Sequence, residues 1–250
     1  MSIIDTYDPA TDTILKPTHF SKPVEGFPEA IIVTFTRNLL NTFLQNYNFE
    51  AICNFFDGRG IYQTTYKGKS LALFRTSVGA PITVAALEET IVKGARKILI
   101  FGSCGTLDSS ITDENIVVPT FAYRDEGTSY HYAPADAGDF IEVKTSERMA
   151  EILEEMGIPV VKGKTWTTDA LYRETHRNME LRKKAGCITV EMECASVMAM
   201  AQFRGVEAYQ FLYASDNLDS AEWEQRALMT LPATSRERFA YMAMEAAVKL

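Results

Sequence analysis

The sequence predicts an α/β fold in which one domain has a central, mixed and largely parallel β-sheet flanked by helices. Short apolar segments typical of strands alternate along the chain with segments typical of helices. Several strands are apolar on both sides, as in buried parallel sheets, and two of them end abruptly in small or polar residues. The 250 residues, 46% hydrophobic and 23% charged, are enough for one well-buried domain.

The chain divides into an irregular N-terminal segment, residues 1–28, and a domain, residues 29–250. The first segment is polar and contains Pro9, Pro17, Pro23 and Pro28, which break regular structure. The remainder shows no internal repeat, low-complexity tract or linker. We therefore expect a single domain.

The domain begins with an apolar strand at residues 30–35, which a helix over about 38–47 follows. The turn Lys67-Gly68-Lys69 predicts a hairpin, and Gly94 predicts the end of a helix. The other predicted strands lie at 61–66, 70–76, 97–101, 115–118, 159–162, 187–190 and 208–214. The other predicted helices lie at 82–93, 146–156, 195–201 and within 222–249, where Pro232 is a break.

Composition and charge favour a small-molecule function. The net charge of -8 is opposite to that of a nucleic-acid binder, which usually has a basic face. No segment has the apolar length that spans a membrane, and the first residues do not resemble a signal peptide. The four cysteines lack metal-binding spacing, so we expect no metal and reduced thiols of a cytoplasmic protein.

An acidic pair, Glu191 and Glu193, stands between an apolar strand and a small-residue helix. Carboxylates two residues apart on a strand project to the same face. At a helix N-terminus they could equally accept backbone N–H bonds and cap the helix. The strand at 208–214 ends in Ser215-Asp216-Asn217, and carboxyl ends of buried strands carry ligand chemistry in open α/β sheets. We therefore expect a site around Glu193 and Asp216.

A glycine-rich turn, Gly102-Ser103-Cys104-Gly105, follows the strand at 97–101. Such a turn lets the backbone approach a ligand and offers N–H groups and a hydroxyl. Nucleophilic attack by Ser103 or Cys104 would need a histidine base, for which His131 and His176 are the unpatterned candidates. Gly163-Lys164-Thr165 is not a nucleotide P-loop, because Ile158 stands where the first glycine is required.

Five motifs in this order give the chain, over roughly residues 60–250, a resemblance to the nucleoside phosphorylase superfamily. They are Gly102-Ser103-Cys104-Gly105, Gly127-Thr128-Ser129-Tyr130-His131-Tyr132, Trp166-Thr167-Thr168-Asp169, Val190-Glu191-Met192-Glu193 and Ser215-Asp216. The resemblance implies a phosphorylase/hydrolase-like fold. It also implies cleavage of a nucleoside by inorganic phosphate, with no cofactor, giving free base and ribose 1-phosphate.

The resemblance assigns roles to individual residues. Asp216 is similar to the general acid that protonates a departing purine. Residues similar to the ribose-binding set are Glu193, Met192, Glu191 and His19. Residues similar to the base-binding set are Trp166, Cys104, Gly105 and Arg177. The phosphate would bind Ser103 and Gly102.

The sequence lacks the cationic side chains with which members of the superfamily usually bind phosphate. The Gly-Asp-Pro-X-Arg motif is replaced by Thr34-Phe35-Thr36-Arg37-Asn38, and Ile100 stands where an arginine is usual. Arg37, Arg59 and Arg75 are the candidate replacements, because a phosphate dianion needs cationic partners. A nucleosidase that uses water, and a nucleoside-binding protein without activity, therefore remain alternatives.

Asp216 favours purine substrates, and a uridine-type phosphorylase is the alternative. The uracil-binding Gln-X-Arg pair of uridine enzymes corresponds here to Thr175-His176-Arg177, which keeps only the arginine. The resemblance also implies a homo-oligomer, either a dimer, a trimer or a hexamer, with nucleoside and phosphate as its small-molecule partners.

Overall fold

The computed structural model describes residues 2–250, in which ten strands form one sheet and six α-helices pack against it. The strands are β1 (Ala30–Thr34), β2 (Glu50–Asn54), β3 (Gly60–Tyr66), β4 (Lys69–Arg75), β5 (Lys97–Thr106), β6 (Ile116–Asp125), β7 (Phe140–Glu142), β8 (Val160–Thr168), β9 (Cys187–Glu191) and β10 (Glu207–Asn217). The helices are α1 (Arg37–Asn46), α2 (Ala80–Lys93), α3 (Ser146–Glu155), α4 (His176–Lys184), α5 (Cys194–Arg204) and α6 (Ala233–Ala247).

The sheet is mixed, with strand order β10-β6-β8-β9-β5-β1-β4-β3-β2 and β7 beside β6. Pairs β1–β4, β1–β5, β5–β10, β6–β8 and β8–β9 are parallel. Pairs β2–β3, β3–β4, β5–β9, β6–β7 and β6–β10 are antiparallel. Because β10 pairs with both β6 and β5, strands β5, β9, β8, β6 and β10 close into a ring.

The sheet is buried on both faces, which confirms the predicted α/β layering. Successive residues of one strand lie on opposite faces of the sheet. Ile31 packs with α2 and α5, whereas Ile32 packs with α1, α3 and α6. Ile98 and Leu99 of β5 divide in the same way. The two-sided apolar runs of the sequence therefore reflect a sheet with helices on both sides.

Several strands are longer than the sequence predicts. β10 continues to Asn217 because Asp216 and Asn217 still pair with Gly105 and Thr106 of β5. β6 likewise continues to Asp125, so the predicted loop at 123–132 begins inside a strand. Polar residues can extend a strand where a neighbouring strand supplies backbone partners, and the apolar pattern does not record this.

Three elements were absent from the prediction, namely β2, β7 and α4. β2 is a largely exposed edge strand, and β7 has only three residues. In α4 only Met179 is buried, so the helix lacks an apolar stripe that would identify it in the sequence.

The N-terminal segment from residue 2 to residue 29 contains two short 3-10 turns, Ile3–Asp5 and Pro17–His19. It is fixed to α2 through Ser21, whose hydroxyl donates to Glu89 at 2.6 Å and accepts from the Lys93 ammonium at 2.9 Å. The helices among residues 2–250 include none long and apolar enough to cross a membrane.

Candidate active site

A cavity of about 640 Å³ lies where β5, β9 and β10 end. The strands and the residues that directly follow them contribute Ser103, Cys104, Gly105, Val190, Glu191, Met192, Glu193, Asp216 and Leu218. The remaining wall comes from Val78, Leu171, Tyr172, Glu174, His176, Met179, Ser220, Trp223, Leu228 and Met229. The predicted site is therefore assembled by strands that are distant in sequence but adjacent in the sheet.

Glu191 and Glu193 both line this cavity, but their carboxylates accept different hydrogen bonds. The Glu191 carboxylate accepts the backbone N–H groups of Glu193 and Cys194, at 2.8 and 2.7 Å, and the Thr167 hydroxyl at 2.5 Å. Glu191 thus caps the start of α5 and joins it to β8. Burial raises the pKa of Glu191 to about 7, against the effect of these three hydrogen bonds.

Glu193 is 5% exposed, and its carboxylate accepts one hydrogen bond, from the Gly79 N–H at 2.5 Å. Burial, followed by the charge of Glu191, raises the pKa of Glu193 to about 8. With a single protein donor, this carboxyl group retains capacity to accept hydrogen bonds from a ligand.

Asp216 is buried, and both of its oxygens have partners. The Trp223 indole N–H donates to Oδ2 at 2.9 Å, and the Ser215 hydroxyl donates to Oδ1 at 3.1 Å. Burial raises the pKa of Asp216, whereas these two hydrogen bonds oppose the change. A carboxyl group in this environment can hold a proton at a higher pH than an exposed aspartate.

Residues 102–105 do not form the turn that the sequence predicts, because β5 continues to Thr106 and Gly102 and Gly105 pair with Leu212 and Asp216 of β10. A Cβ at Gly102 would lie 2.8 Å from Phe35, and one at Gly105 would lie 2.6 Å from Leu218 and 3.3 Å from the Asp216 carboxylate. The glycine-rich end of β5 therefore brings bare backbone to the cavity wall between Ser103 and Asp216.

The Cys104 thiol is not an activated nucleophile. Its pKa is well above the ordinary value because of burial, and the sulfur donates to the Tyr213 carbonyl at 3.7 Å. An activated thiol needs the opposite, a lowered pKa. His131 does not line the cavity, whereas His176 does.

The mouth of the cavity is apolar and exposed. Tyr172 is 92% exposed, Met229 is 73% exposed and Trp223 is 57% exposed. Large apolar side chains exposed around a concave site are typical of surfaces that a ligand covers. Together with Met192 they offer apolar contacts to a flat or ring-shaped ligand.

Trp166 does not line the cavity, which corrects its expected stacking role. It is 1% exposed, and its indole N–H donates to the Asp125 carboxylate at 2.9 Å. The ring packs with Met179 and Val190, which do line the cavity. Trp166 therefore supports the wall from behind.

Two further predicted contacts are absent from the cavity wall of this chain. His19 is exposed at the end of an N-terminal turn, where its Nδ1 accepts the Lys16 N–H at 3.4 Å. Arg177 is exposed on the first turn of α4, although its neighbour His176 lines the cavity. Side chains of successive helical residues point in different directions, which explains this difference.

None of the three candidate phosphate arginines lines the cavity. Arg37 is exposed at the start of α1. The Arg59 guanidinium pairs with Asp57 at 2.6 Å and donates to the Arg75 carbonyl at 3.4 Å. Arg75 donates to the Thr76 carbonyl at 3.5 Å. Among residues 2–250, no lysine or arginine side chain forms part of this wall.

Several wall residues were not predicted from the sequence, chiefly Val78, Leu171, Tyr172, Glu174 and Trp223. All lie in loops or short turns after strands, without a periodic pattern. The one available signal was position, because loops at the carboxyl ends of strands carry ligand sites.

Comparison with known proteins identifies the family. A family model described as the phosphorylase superfamily matches residues 29–249. The chain belongs to the phosphorylase superfamily. The fold described above agrees with the resemblance found in the sequence.

Relatives within the phosphorylase superfamily include a DeoD-type purine nucleoside phosphorylase of Caldanaerobacter subterraneus subsp. tengcongensis. It is 30% identical over 182 residues, which cover 69% of this chain and 78% of the relative. A guanosine phosphorylase of Halorubrum lacusprofundi is 27% identical over 158 residues, 63% of this chain and 66% of the relative.

A solved structure has the same fold. The crystal structure of a purine nucleoside phosphorylase from Toxoplasma gondii, in complex with immucillin-H, aligns with a TM-score of 0.75 at 18% identity. The alignment covers 96% of this chain and 97% of that one.

Proposed function

We propose that this protein is a purine nucleoside phosphorylase, which transfers the pentosyl group of a nucleoside to inorganic phosphate. The products are a free purine and ribose 1-phosphate. The observation that carries the proposal is that Glu193 and Asp216, two buried carboxyl groups with raised pKa values, line one cavity beside the glycine-rich end of β5. The names of the relatives support the same activity.

In this proposal Glu193 binds the ribose hydroxyls. Its carboxylate has one protein donor, so its remaining lone pairs can accept from two hydroxyl groups. Cleavage of the glycosidic bond develops positive charge on the sugar, which the ionised form of Glu193 stabilises once pH exceeds its pKa of about 8. Met192 packs against the sugar, and Glu191 fixes the backbone that positions Glu193.

Asp216 acts on the base. A purine leaves readily when a ring nitrogen is protonated, and an acid with a raised pKa can hold that proton near neutral pH. Cys104 and Gly105 form the wall beside the ring, and Leu171 and Tyr172 provide apolar contacts. Asp216 also favours purine over uracil, whose departure needs no such proton.

The phosphate would bind at Ser103, which lines the cavity near the end of β5, and at the adjacent backbone of Gly102. The test measures base release from inosine and guanosine with and without phosphate, and identifies the sugar product. Ribose 1-phosphate, formed only with phosphate, supports a phosphorylase. Binding of nucleoside without any base release would contradict enzymatic activity.

Hydrolysis is the second candidate, and the charge of the cavity favours it. Glu174, Glu191, Glu193 and Asp216 line the wall, and the part of the chain from residue 2 onward adds no lysine or arginine. A phosphate dianion would bind weakly among these carboxyl groups. Release of free ribose at the same rate with and without phosphate would establish the nucleosidase.

We further propose that residues 29–250 form the functional domain of a cytoplasmic homo-oligomer that needs no cofactor. The free cysteines, three of them buried, support a reducing compartment. The oligomeric state is testable by light scattering of the purified chain, and a monomer at all concentrations would contradict it.

A further inference from the structure

Asn217 is the residue of Ser215-Asp216-Asn217 to which the proposed function gives no role. It ends β10 and is 2% exposed. Its side-chain oxygen accepts the Thr106 hydroxyl at 3.1 Å and the Asp219 N–H at 3.0 Å. Its side-chain amide donates to the Glu224 carboxylate at 3.0 Å. This buried side chain therefore joins the end of β5 to the loop that leaves β10, residues 218–224, which we call the 218–224 loop.

The 218–224 loop is attached at two points. The Asn217 N–H donates to the Glu224 carbonyl at 3.0 Å, and the Asn217 carbonyl accepts the Glu224 N–H at 3.1 Å, which forms an antiparallel bridge. Nearer its start, the Asp219 carboxylate accepts the Ser109 N–H at 3.2 Å and pairs with the Lys183 ammonium. The bridge to Asn217 thus fixes the far end of the loop.

The register of this bridge determines which side chains face the cavity. Because Asn217 pairs with Glu224 in antiparallel fashion, Leu218 is opposite Trp223, and successive side chains alternate between two faces. The side chains of Asp216, Leu218 and Trp223 share one face, and all three line the cavity. Those of Asn217 and Glu224 share the other face, where they bond to each other. A slip of one residue would turn the Trp223 indole away from Asp216.

The hydrogen bond between Trp223 and Asp216 depends on this attachment. Trp223 is 57% exposed, and its indole N–H donates to the Asp216 Oδ2 at 2.9 Å. A hydrogen bond from an exposed side chain contributes little by itself, because ordering the chain that bears it costs conformational entropy. The bridge to Asn217 orders the backbone of the loop beforehand, so that only the Trp223 side chain remains to be fixed.

We propose that Asn217 is a positioning residue, which holds the 218–224 loop in the register that brings the Trp223 indole to the Asp216 carboxylate. Its effect on catalysis rests on the proposed function, in which Asp216 protonates the departing base. Asn217 itself does not line the cavity and acts through Trp223. Without the indole, the charged form of Asp216 loses a donor, and the pKa of Asp216 rises further.

The other groups that face Asp216 are not bonded to Asn217 within residues 2–250. Besides the Ser215 hydroxyl, the charged or titratable neighbours of Asp216 are Cys104 of β5, Glu174 after β8, and Arg226 after the 218–224 loop. Glu191 and Glu193 at the end of β9, His176 of α4 and Tyr172 line the same cavity. Arg226 also pairs with Glu224, but Asp113 at 3.4 Å and the Ile111 carbonyl at 3.0 Å hold it independently.

The first test replaces Asn217 by aspartate. Asn217→Asp keeps the oxygen that accepts from Thr106 and Asp219, but it sets a second carboxylate against that of Glu224. We expect the loop to detach and the basic limb of kcat/KM for inosine to move upward by about one pH unit, as for loss of one hydrogen bond. Glu222→Ala, an exposed glutamate of the same loop, is the matched control and should leave the profile unchanged.

A swapped pair separates attachment of the loop from the added charge. Asn217→Asp/Glu224→Gln reverses the hydrogen bond, because the new amide donates to the new carboxylate, and it has the net charge of the wild type. Its profile should return most of the way to that of the wild type. In a Trp223→Phe background, Asn217→Asp should shift the profile much less, because only the added charge remains. A shift that persists in the swapped pair, or that is equal in both backgrounds, would overturn the proposal.

A fluorescence measurement separates this proposal from the proposed function, because it needs no catalysis. The chain has two tryptophans, so the emission of Trp166→Phe reports on Trp223 alone. Acrylamide quenching of this emission should increase when Asn217→Asp is added and should return in the swapped pair. Equal quenching with and without Asn217→Asp would overturn the proposal. The expected quenching without base release by any variant would support it and would contradict only the proposed function.

Glu224→Ala tests the same contact should Asn217→Asp fail to fold. Glu224 is exposed, so its replacement removes the carboxylate acceptor and leaves buried Asn217 unchanged. In the Trp166→Phe background, quenching of Trp223 should again increase, whereas Glu222→Ala should leave it unchanged. Quenching that stays at the level of Trp166→Phe in Glu224→Ala would overturn the role of the Asn217 side chain.

Discussion

The Glu191 carboxylate accepts the backbone N–H of Glu193 at 2.8 Å, so one member of the acidic pair holds the other in place. Glu191 completes its bonding with Cys194 and Thr167. Glu193, in contrast, receives one protein hydrogen bond, from the Gly79 N–H. Of the two alternatives for this pair, helix capping therefore falls to Glu191 and ligand binding to Glu193.

Replacement of the two glutamates should separate these roles. We expect Glu193→Gln to lower turnover by roughly 100-fold or more above pH 8, where Glu193 is ionised, because it removes the charge that stabilises the transition state. We expect Glu191→Ala to lower the free energy of unfolding by at least about 2 kcal/mol, since it leaves buried donors without an acceptor. Steady-state kinetics and urea unfolding of both variants provide the check. A loss of stability in Glu193→Gln with unchanged turnover would reverse the assignment.

Asp216→Asn should distinguish proton transfer from positioning. The amide keeps the shape but delivers no proton, so natural purine nucleosides should lose roughly two to four powers of ten in kcat/KM. A nucleoside with a cationic base, such as 7-methylguanosine, should lose far less because its base leaves without protonation. Equal losses on both substrates would indicate that Asp216 only maintains geometry.

Trp223→Phe should shift the pH profile of the reaction. The indole N–H stabilises the charged form of Asp216, so its removal raises the pKa of this acid. The protonated acid then persists to higher pH, and the basic limb of kcat/KM should move upward. Trp166→Phe is the control, since Trp166 bonds to Asp125 behind the wall. A downward shift in Trp223→Phe would contradict the proposed protonation state.

Stability should fall as pH rises from about 5 to 8. The folded-state pKa values of Glu174 and Glu191 are about 7 and that of Glu193 is about 8, against 4.5 for an ordinary glutamate. The folded protein therefore binds more protons than the unfolded chain in this range, which makes the slope of unfolding free energy against pH negative. Carboxyl groups with lowered pKa values, such as Asp57 and Asp219, change the free energy of unfolding only at pH values below this range.

Urea unfolding at fixed ionic strength measures this slope. Glu193→Gln removes one of the three groups and should make the dependence shallower, by up to about 1.4 kcal/mol per pH unit. A free energy of unfolding that increases between pH 5 and 8 would show that these groups are charged in the folded state.

Local sequence patterns were enough to predict the α/β class, the glycine-rich segment at 102–105 and the carboxyl groups Glu193 and Asp216, although that segment is the end of β5 and forms no turn. These follow from local patterns, because strand ends and close backbone approaches leave characteristic residue types in the chain. The resemblance to the superfamily came from the same motifs, and the family model confirmed it.

Which side chains face the cavity depends on the tertiary structure. Trp166 lies behind the wall residues Met179 and Val190, because its indole N–H donates a hydrogen bond to Asp125, 41 residues away in the sequence. Glu174 enters the wall although no pattern marks it, because the Leu171–Arg173 turn brings it to the cavity that Asp216 also lines. The orientation of a side chain depends on partners that are distant in sequence, so hydrophobic periodicity does not encode it.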